Sequence, residues 1–366
     1  MELREDTRAV TIDGDFWLGR RVLLTGHTGF KGAWLSLWLQ SLGAELTGLA
    51  SGTPTSPSLY EQARVADGMA ERRGDVRDAP AVSAALAESG AEIVLHLAAQ
   101  PMVRRSLREP ALTYEVNVMG TVNVLEAVRE NPSQVRAAIV VTSDKCYENP
   151  TGSSRAFVED DPLGGSDPYS SSKAAAELVA AAYRRSFFTG DGTPRLATAR
   201  AGNVIGGGDR GEDRLLPDAL RALEGGTPLL VRNPAAVRPW QHVLNPLAGY
   251  LLLAQALWEQ PGAARPWNFG PPPGDARPVG WIVEHLAELW DGALQWHADD
   301  TPNPPEAPHL ALDSSAAEAQ LGWRPAWSLE EALPRIVDWH RRERAGEDMR
   351  EHTLAQIASY AGAPAA

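Results

Sequence analysis

Lysine is almost absent from this chain of 366 residues. Lys and Arg together number 34, but only three of them are lysines: Lys31, Lys145 and Lys173. Arginine is permanently charged and planar, whereas burial and neighbouring charges can move the pKa of a lysine ammonium. Biased codon usage explains the scarcity, but it does not explain why all three lysines lie in strings with glycine, serine or threonine. We therefore expect the lysines to mark positions where arginine cannot do the chemistry.

Cysteine is equally scarce, and histidine is not clustered. The single cysteine, Cys146, excludes an internal disulfide and fits a reducing compartment. The eight histidines are scattered, and neither C-x-x-C nor H-E-x-x-H occurs. These absences predict that the protein has no zinc site and no other metal centre.

Net positive charge and long apolar runs are lacking as well. The formal net charge of −13 argues against a protein that binds nucleic acid or a membrane surface. The longest apolar stretch, residues 250–258, is too short to span a bilayer. Residues 1–6 carry mixed charges and no apolar run, which is not typical of a secretory signal. We therefore predict a soluble, cytoplasmic protein without nucleic-acid or membrane partners.

Apolar strands alternate with amphipathic helices in the first 142 residues. The predicted strands cover 21–25, 45–50, 93–97 and 137–142, and the predicted helices cover 33–42, 79–89 and 111–130. Such alternation predicts a Rossmann-type α/β fold with a parallel, doubly wound sheet. From about residue 205, Gly and Pro interrupt the pattern, and six tryptophans lie between Trp281 and Trp339. The predicted domains are therefore 1–200, with a returning segment near 235–270, and a smaller substrate-binding domain over 201–366.

A glycine loop joins the first predicted strand to the first predicted helix. In the pattern G-x-x-G-x-x-G, the first glycine permits a tight turn and the second lets the backbone approach a pyrophosphate. The third allows the helix to pack closely on the strand, so that phosphates face its first N–H groups. Lys31 either contacts a phosphate or is a solvated lysine near a helix start. The loop predicts a dinucleotide site that includes Gly26, Thr28, Gly29, Phe30, Lys31 and Gly32.

Two further strings extend the predicted dinucleotide site. Asp75 and Val76 are expected to end the third strand near the adenine, and Leu97, Ala98, Ala99 and Gln100 to follow the fourth strand past the pyrophosphate. Residues 49–51, Leu-Ala-Ser, end the second strand, where an acidic residue usually binds the ribose 2′-hydroxyl. This motif therefore leaves the choice between NAD and NADP open.

Tyr169 and Lys173 are four residues apart, so they share one face if they lie on a helix. Asp167 suits the N-cap and Pro168 the first turn, which predicts that the helix begins just before the tyrosine. A phenol with a pKa of about 10 is a weak base at neutral pH. A nearby ammonium favours the phenolate, and Ser143 is placed to hydrogen-bond the same substrate hydroxyl. The alternative is that Tyr169 only packs and Lys173 lies on the surface.

These residues and the glycine loop resemble the extended short-chain dehydrogenase/reductase superfamily. Within it, the chain is similar to the CDP-glucose 4,6-dehydratases over most of its length. The similar strings are T-G-H-T-G-F-K-G at 25–32, H-L-A-A-Q-P-M-V-R-R-S at 96–106, N-V-M-G-T at 117–121, T-S-D-K-C-Y-E-N at 142–149, D-P-Y-S-S-S-K at 167–173, G-N-V-I-G-G-G-D at 202–209 and R-P-W-Q-H-V at 238–243.

Asp144 and Lys145 are the most specific part of this resemblance. Other sugar-nucleotide 4,6-dehydratases carry Asp-Glu at these positions, whereas the CDP-glucose enzymes resemble this chain in carrying Asp-Lys. Two residues depart from the pattern: Arg210 stands where Trp is usual, and Asn245 where Glu is common. Both departures concern substrate contacts rather than the class of reaction.

The resemblance implies an enzyme that converts CDP-glucose to CDP-4-keto-6-deoxyglucose and water, with NAD as the cofactor. Tyr169 is then expected to remove the proton of the C4 hydroxyl while a hydride leaves C4. Water departs from C6 in the next step, and the hydride returns to C6. Asp144 is expected to protonate the departing C6 hydroxyl. Lys145 is expected either to act as the C5 base or to stabilise the enolate as a cation.

The resemblance also implies binding residues and an assembly. Asn117, Tyr169 and Lys173 are expected to bind the cofactor. Helices over 111–130 and 169–188 are expected to form a homodimer through a four-helix bundle. The residues expected to bind the CDP-glucose substrate are Arg104, Asn203, Arg214, Arg238, Trp240 and His242.

Three other functions remain open at this point. A nucleotide-sugar 4-epimerase on the same fold needs no acid–base pair for C6, so Asp144 and Lys145 argue against it. A 4,6-dehydratase for another NDP-hexose shares the chemistry and differs only in the nucleotide or sugar. A non-catalytic NAD-binding sensor is expected to lose Tyr169 or Lys173, and both are present.

Overall fold

The computed structural model describes residues 12–149, 155–290, 294–299 and 309–362. Residues 1–6, whose mixed charges argued against a secretory signal, lie outside these ranges. The strands are β1 (Arg21–Thr25), β2 (Glu45–Ala50), β3 (Ala70–Arg73), β4 (Ile93–His96), β5 (Ala137–Val141), β6 (Arg195–Arg200), β7 (Val204–Ile205), β8 (Leu229–Val231), β9 (Val237–Pro239), β10 (Gln241–His242), β11 (Pro266–Asn268), β12 (Ala276–Pro278) and β13 (Trp296–Ala298).

Helices precede, connect and follow these strands. They are α1 (Gly14–Trp17), α2 (Phe30–Ser41), α3 (Leu59–Gln62), α4 (Ala79–Ser89), α5 (Val103–Arg108), α6 (Pro110–Tyr114), α7 (Gly120–Glu130), α8 (Pro168–Ser186), α9 (Leu215–Gly225), α10 (Leu244–Glu259), α11 (Val279–Leu289), α12 (Ser315–Leu321), α13 (Leu329–Arg344) and α14 (Met349–Tyr360). Within the described ranges, no helix has the length and apolar composition needed to cross a membrane.

A seven-stranded parallel sheet organises the molecule, in the order β11-β6-β5-β4-β1-β2-β3. Its central strands are apolar on both faces because helices cover both sides. Neighbouring residues of β1 show this directly: Leu24 packs into the core with Trp34 of α2, whereas Leu23 packs into the core with Val82 of α4 and Val124 of α7. The predicted doubly wound sheet is confirmed.

The predicted helix over 111–130 is not continuous. Helices α6 and α7 are separated by a wider π-helical turn, Glu115–Met119, which carries the buried side chain of Asn117. The Asn117 side chain binds the backbone of Gln100 in both directions, accepting from its N–H at 2.8 Å and donating to its carbonyl oxygen at 3.1 Å. A π-turn inside a helix is frequent at functional sites, and the regular apolar pattern of the sequence did not indicate it.

The carboxyl-terminal half contributes to the central sheet and also builds a core of its own. Strand β11 pairs with β6 in parallel, and α10 packs on the β5–β6 side of the sheet. Helices α9, α11 and α13 enclose a separate apolar cluster that includes Leu220, Ile282 and Leu333. The division of the chain into domains at residue 200 stays a prediction.

Candidate active site

A cavity of about 1820 Å³ opens at the carboxyl ends of the parallel strands. The loops that follow β1, β2, β4 and β5 form one side, and segments 201–218 and 229–240 supply the other. Ligands of open α/β sheets bind in this crevice, outside the carboxyl ends of the strands. The fold therefore brings the glycine loop, Tyr169, Lys173 and the Asp144–Lys145 pair to one cavity wall.

The glycine loop has the geometry that a dinucleotide requires. Gly26 has a φ of 78°, and a Cβ atom there would lie 2.7 Å from the backbone nitrogen of Ala98. A Cβ atom on Gly32 would overlap the carbonyl oxygen of Gly26. Gly29 is the N-cap of α2 and uses no side chain to cap the helix, so the first N–H groups of α2 are open to phosphate oxygens. These residues fit a dinucleotide.

Alanine substitutions should distinguish a loop glycine that is needed for packing from one that is needed for cofactor binding. Gly32→Ala should lower the free energy of unfolding by about 1–3 kcal/mol, because its methyl group overlaps the backbone of Gly26. Gly29→Ala should leave that free energy unchanged, since Gly29 has a φ of −76° and its Cβ would have ordinary space at 3.4 Å. It should instead weaken NADH binding, because its methyl group would face the pyrophosphate. Denaturant unfolding and fluorescence titration with NADH measure the two effects, and equal losses of stability would contradict this division.

Most of the other predicted cofactor residues also line the cavity. Asp75 and Val76 do so from the loop just beyond β3, rather than from the end of the strand itself. Residues 97–100 follow β4 and line it as well. Asn117 does not line the cavity, because its side chain points into the protein and holds the backbone of Gln100. Asn117 therefore holds the cavity wall from behind, and its direct contact with the cofactor stays a prediction.

Tyr169 lies in the first turn of α8, as its sequence context predicts. Asp167 is the N-cap and accepts a hydrogen bond from Ser170 N–H at 2.9 Å. Burial raises the pKa of Tyr169 to about 12, while a hydrogen bond with Ser143 and the positive charge of Arg214 lower it. Burial therefore opposes loss of the phenol proton, whereas the contact with Ser143 and the charge of Arg214 favour it, as a group that takes a proton from a substrate hydroxyl requires.

Lys173 lies one turn further along the same helix. Its ammonium donates a hydrogen bond to the carbonyl oxygen of Val141 at 3.2 Å. Burial lowers the pKa of Lys173 to about 8, against the raising effect of the Glu177 carboxylate. Glu177 is itself buried and accepts hydrogen bonds from Arg200 and Thr198, each at 2.7 Å. Glu177 was not predicted from the sequence, although its spacing of four residues from Lys173 on a helix is a signal for it.

Asp144 is a buried carboxyl group in a short turn after β5. Its Oδ1 accepts a hydrogen bond from Ser143 Oγ at 2.9 Å, while its Oδ2 is buried and has no hydrogen-bond partner among the described residues. Burial raises the pKa of Asp144, although the neighbouring charges of Lys145 and Arg238 lower it. A carboxyl group with a raised pKa keeps its proton at higher pH and is suited to act as an acid.

Gly202 makes room for this carboxyl group. A Cβ atom on Gly202 would overlap Oδ2 of Asp144, so no other residue fits there without moving the acid. The two residues are 58 positions apart in the sequence, and no local pattern connects them. Lys145, which follows Asp144 in the chain, is half-buried and lines the cavity.

Of the six residues expected to bind the substrate, five line the cavity and one, His242, does not. Arg104, Asn203, Arg214, Arg238 and Trp240 line the cavity. Arg214 is held by Asp209 through its Nη1, at 3.0 Å from Oδ2. Trp240 contributes mainly to the core of the carboxyl-terminal half, and its Nε1 donates to the carbonyl oxygen of Arg277 at 3.1 Å.

His242 does not line the cavity. It is fully buried and lies edge-on to the rings of Trp34 and Trp327, with centroid distances of 5.8 Å and 4.9 Å. Burial lowers the pKa of His242 to about 3, so the ring is neutral. We therefore correct the expected contact between His242 and the substrate to a packing role.

Lys31 is not a solvated lysine. Its half-buried side chain donates a hydrogen bond to the hydroxyl of Tyr250, on α10, at 3.2 Å. Burial lowers the pKa of Lys31 to about 7, and the positive charges of Lys173 and Arg214 act in the same direction. The sequence did not indicate Tyr250, which lies 219 positions away.

The two departures from the family pattern have different surroundings. Arg210 lines the cavity and pairs with Glu343 and with Glu224, the latter at 3.6 Å. Glu224, His340 and Glu343 place possible metal-ligand atoms within 4.8 Å of one another, but Arg210 already supplies the positive charge that the two carboxylates need. Asn245 is buried and binds the backbone of Trp327 at 2.9 Å, away from the cavity wall. Of these two residues, Arg210 is therefore the one positioned to affect a substrate.

The fold and the cavity define a nucleotide-binding enzyme with a tyrosine–lysine pair. The NAD dependent epimerase/dehydratase family matches residues 22–268, and the chain belongs to this family. Its cofactor is NAD. The CDP-glucose 4,6-dehydratase of Salmonella typhimurium strain LT2 is 48% identical over 362 residues, which cover 96% of this chain and 99% of that protein. The dTDP-glucose 4,6-dehydratase of Mycolicibacterium smegmatis is 33% identical over 343 residues, covering 88% and 93%.

Solved structures show the same architecture with NAD bound. The dTDP-glucose 4,6-dehydratase of Streptomyces venezuelae superposes with a TM-score of 0.75 at 26% identity, over 90% of this chain and 99% of that chain. The UDP-glucose 4-epimerase of Thermus thermophilus superposes with a TM-score of 0.76 at 26% identity, over 88% and 99%. Dehydratases and epimerases therefore share this fold, and the site residues must decide between them.

Proposed function

We propose that this protein is a CDP-glucose 4,6-dehydratase, which forms CDP-4-keto-6-deoxyglucose and water in deoxysugar biosynthesis. One observation carries the proposal: the cavity that holds Tyr169 and Lys173 also holds Asp144 and Lys145. A 4-epimerase needs only the first pair. The named relative with 48% identity supports CDP-glucose as the substrate.

Three cavity residues are placed for proton transfers at C4, C5 and C6. Tyr169 takes the proton of the C4 hydroxyl, and the resulting 4-ketone acidifies the hydrogen on C5. Lys145 removes the C5 proton or stabilises the enolate, and Asp144 protonates the C6 hydroxyl so that it leaves as water. NAD held at the glycine loop would supply the hydride acceptor for C4 and the hydride donor for C6, and a proton returned to C5 completes the product. The reaction therefore has no net redox change and needs no second reductant.

A direct assay distinguishes the candidate functions. The purified protein is incubated with NAD and with one sugar nucleotide at a time, carrying CDP, dTDP, GDP or UDP. We expect an alkali-sensitive 4-ketone from CDP-glucose, with deuterium placed at C4 appearing at C6. A galactose isomer would indicate an epimerase, and a ketone from another nucleotide a different dehydratase. No turnover of any of these sugars would favour a non-catalytic NAD-binding protein.

The diphosphate of the substrate needs positively charged side chains around it, although the net charge of the chain is negative. Arg104, Arg214 and Arg238 line the cavity wall contributed by α5 and by the carboxyl-terminal half. Planar guanidinium groups suit bidentate binding of phosphate oxygens. We infer that these three arginines bind the diphosphate and that Asn203 and Trp240 lie beside the nucleotide.

We propose that the protein forms a homodimer through α6, α7 and α8, as a four-helix bundle. Large apolar side chains are exposed on α6, on the π-helical turn that follows it and on α8: Tyr114 is 40% exposed, Met119 51% and Leu178 61%. Exposed apolar groups clustered on neighbouring helices are typical of protein interfaces. The cytoplasmic location expected from the sequence stays a prediction.

Leu178→Glu should convert the dimer to a monomer, because it places a charge in the apolar centre of the proposed interface. Sedimentation velocity measures the change in mass, and far-UV circular dichroism verifies the fold. Leu18→Glu is the matched control, since Leu18 is 70% exposed and precedes β1, far from these helices in the sequence. A Leu178→Glu protein that sediments like the parent, or a parent that is monomeric, would contradict this interface.

A further inference from the structure

The end of β2, where Rossmann folds bind the adenosine ribose, carries no negative charge in this chain, and we call it the ribose-binding corner. In NAD-selective Rossmann folds, an acidic residue at the end of the second strand binds the ribose 2′-hydroxyl, and its negative charge disfavours a phosphate there. Here β2 ends in Ala50, followed by Ser51 and Gly52, and all three line the cavity. No carboxylate lies among residues 49–58. The repulsion that excludes a 2′-phosphate is therefore absent from this strand end.

The acidic groups of β3 and of the loop after it have hydrogen-bond or ion-pair partners. Glu71, on β3, accepts a hydrogen bond from Tyr60 and lies 2.8 Å from Nε2 of the buried His27. Asp75 pairs with Arg77 at 2.8 Å. Arg77 offsets the charge of Asp75, and the charge of Arg73 acts on Glu71, whose carboxylate Tyr60 and His27 also hydrogen-bond.

Arg73 brings a positive charge to this corner. It is the last residue of β3 and the register partner of Ala50, so it lies directly beside the end of β2. Its Nη1 lies 3.6 Å from the position that a Cβ atom on Gly52 would occupy. The residue is exposed, and it adjoins the cavity beside Ala50 without being one of the lining residues. A guanidinium at the second-strand end is the group that accommodates a 2′-phosphate in NADP-binding folds.

Hydroxyl groups surround the same position. Ser51, Thr53 and Thr55 line the cavity in the loop after β2, and each can donate to a phosphate oxygen. The loop is fixed to the glycine loop by Thr28, whose hydroxyl donates to the carbonyl oxygen of Gly52 at 2.7 Å. The corner therefore combines donors and a positive charge with a defined backbone.

We propose that the cofactor site also binds an adenosine 2′-phosphate through Arg73, so that the protein accepts NADP as well as NAD. The proposal depends on the dinucleotide site and is independent of the CDP-glucose assignment. It concerns cofactor binding, which is measurable without turnover of any sugar.

The test compares binding of NAD⁺, NADP⁺, 5′-ADP and 2′,5′-ADP by calorimetry. We expect the parent to bind NADP⁺ within about tenfold of NAD⁺. Arg73→Ala should weaken NADP⁺ and 2′,5′-ADP by about tenfold or more, because a hydrogen bond to a charged group is lost. The same variant should bind NAD⁺ and 5′-ADP within about twofold of the parent. Ser51→Asp should weaken NADP⁺ selectively by restoring the repulsion.

Arg72→Ala is the matched control. Arg72 is the preceding residue of β3, is also exposed, and pairs with Glu88 rather than facing the strand end. It should leave the ratio of NADP⁺ to NAD⁺ affinity unchanged. A parent that binds NAD⁺ but binds NADP⁺ more than tenfold more weakly would overturn the proposal and leave the NAD assignment intact. Equal effects of Arg73→Ala on both dinucleotides, or the same selective loss in Arg72→Ala, would also overturn it.

Discussion

Tyr169→Phe should lower ketone formation from CDP-glucose by about a hundredfold to ten-thousandfold, the usual effect of removing a general acid–base group. The substitution removes one oxygen atom from a half-buried ring at the start of α8 and leaves the ring in place. NADH binding should therefore change by less than about twofold. Turnover assays and NADH titration measure the two quantities separately, which distinguishes a lost catalytic group from a damaged cofactor site.

Tyr183→Phe is the matched control for this experiment. Tyr183 lies on the same helix, and its hydroxyl donates to Glu126 at 2.5 Å, away from the cavity wall. Its loss should leave turnover near the parent rate. Near-normal turnover in Tyr169→Phe would overturn the role given to Tyr169, and an equal loss in both variants would point to helix stability instead.

Local patterns account for the parts of the site that the sequence predicted. The glycine loop is a contiguous segment between a strand and a helix, so its spacing is sufficient to place Gly26 and Gly32. The pair Tyr169 and Lys173 depends only on helical periodicity, and the Asp167 N-cap defines where that helix begins. Parallel strands bring their carboxyl ends to one edge, which explains why these separate strings meet in one cavity.

Long-range contacts account for what the sequence did not predict. The space beside Asp144 comes from Gly202, on a loop beyond β6, and the partner of Lys31 comes from α10. Both pairs meet only after the sheet is formed, so no spacing rule indicates them. His242 was misplaced because the string R-P-W-Q-H-V indicates proximity to the site but not the direction of each side chain. In the folded chain its ring packs between two tryptophans.

Asp144→Asn should stop the reaction between oxidation at C4 and loss of water from C6. Asparagine has nearly the same shape, so it fits the space that Gly202 leaves, whereas an amide cannot protonate the departing hydroxyl. Because burial raises the pKa of Asp144, the parent carboxyl group holds its proton at a higher pH than an exposed aspartate does. Turnover should fall by about a hundredfold to ten-thousandfold. Single-turnover absorbance should show reduced cofactor accumulating, or a 4-keto sugar that keeps its C6 oxygen.

Lys145 variants tested beside Asp144→Asn separate the two roles left open for this lysine. Lys145→Arg keeps the positive charge but replaces the amine by a guanidinium, which stays protonated and cannot act as a base. If Lys145→Arg turns over while Lys145→Ala does not, Lys145 stabilises the enolate by its charge. If both fail equally, the base role is favoured. Asp191→Asn, an exposed acid outside the cavity wall, is the control for a change of charge alone. Parent-like turnover in both Asp144→Asn and Lys145→Ala would contradict the assignment of the protein as a dehydratase, because water loss from C6 is the step that requires this pair.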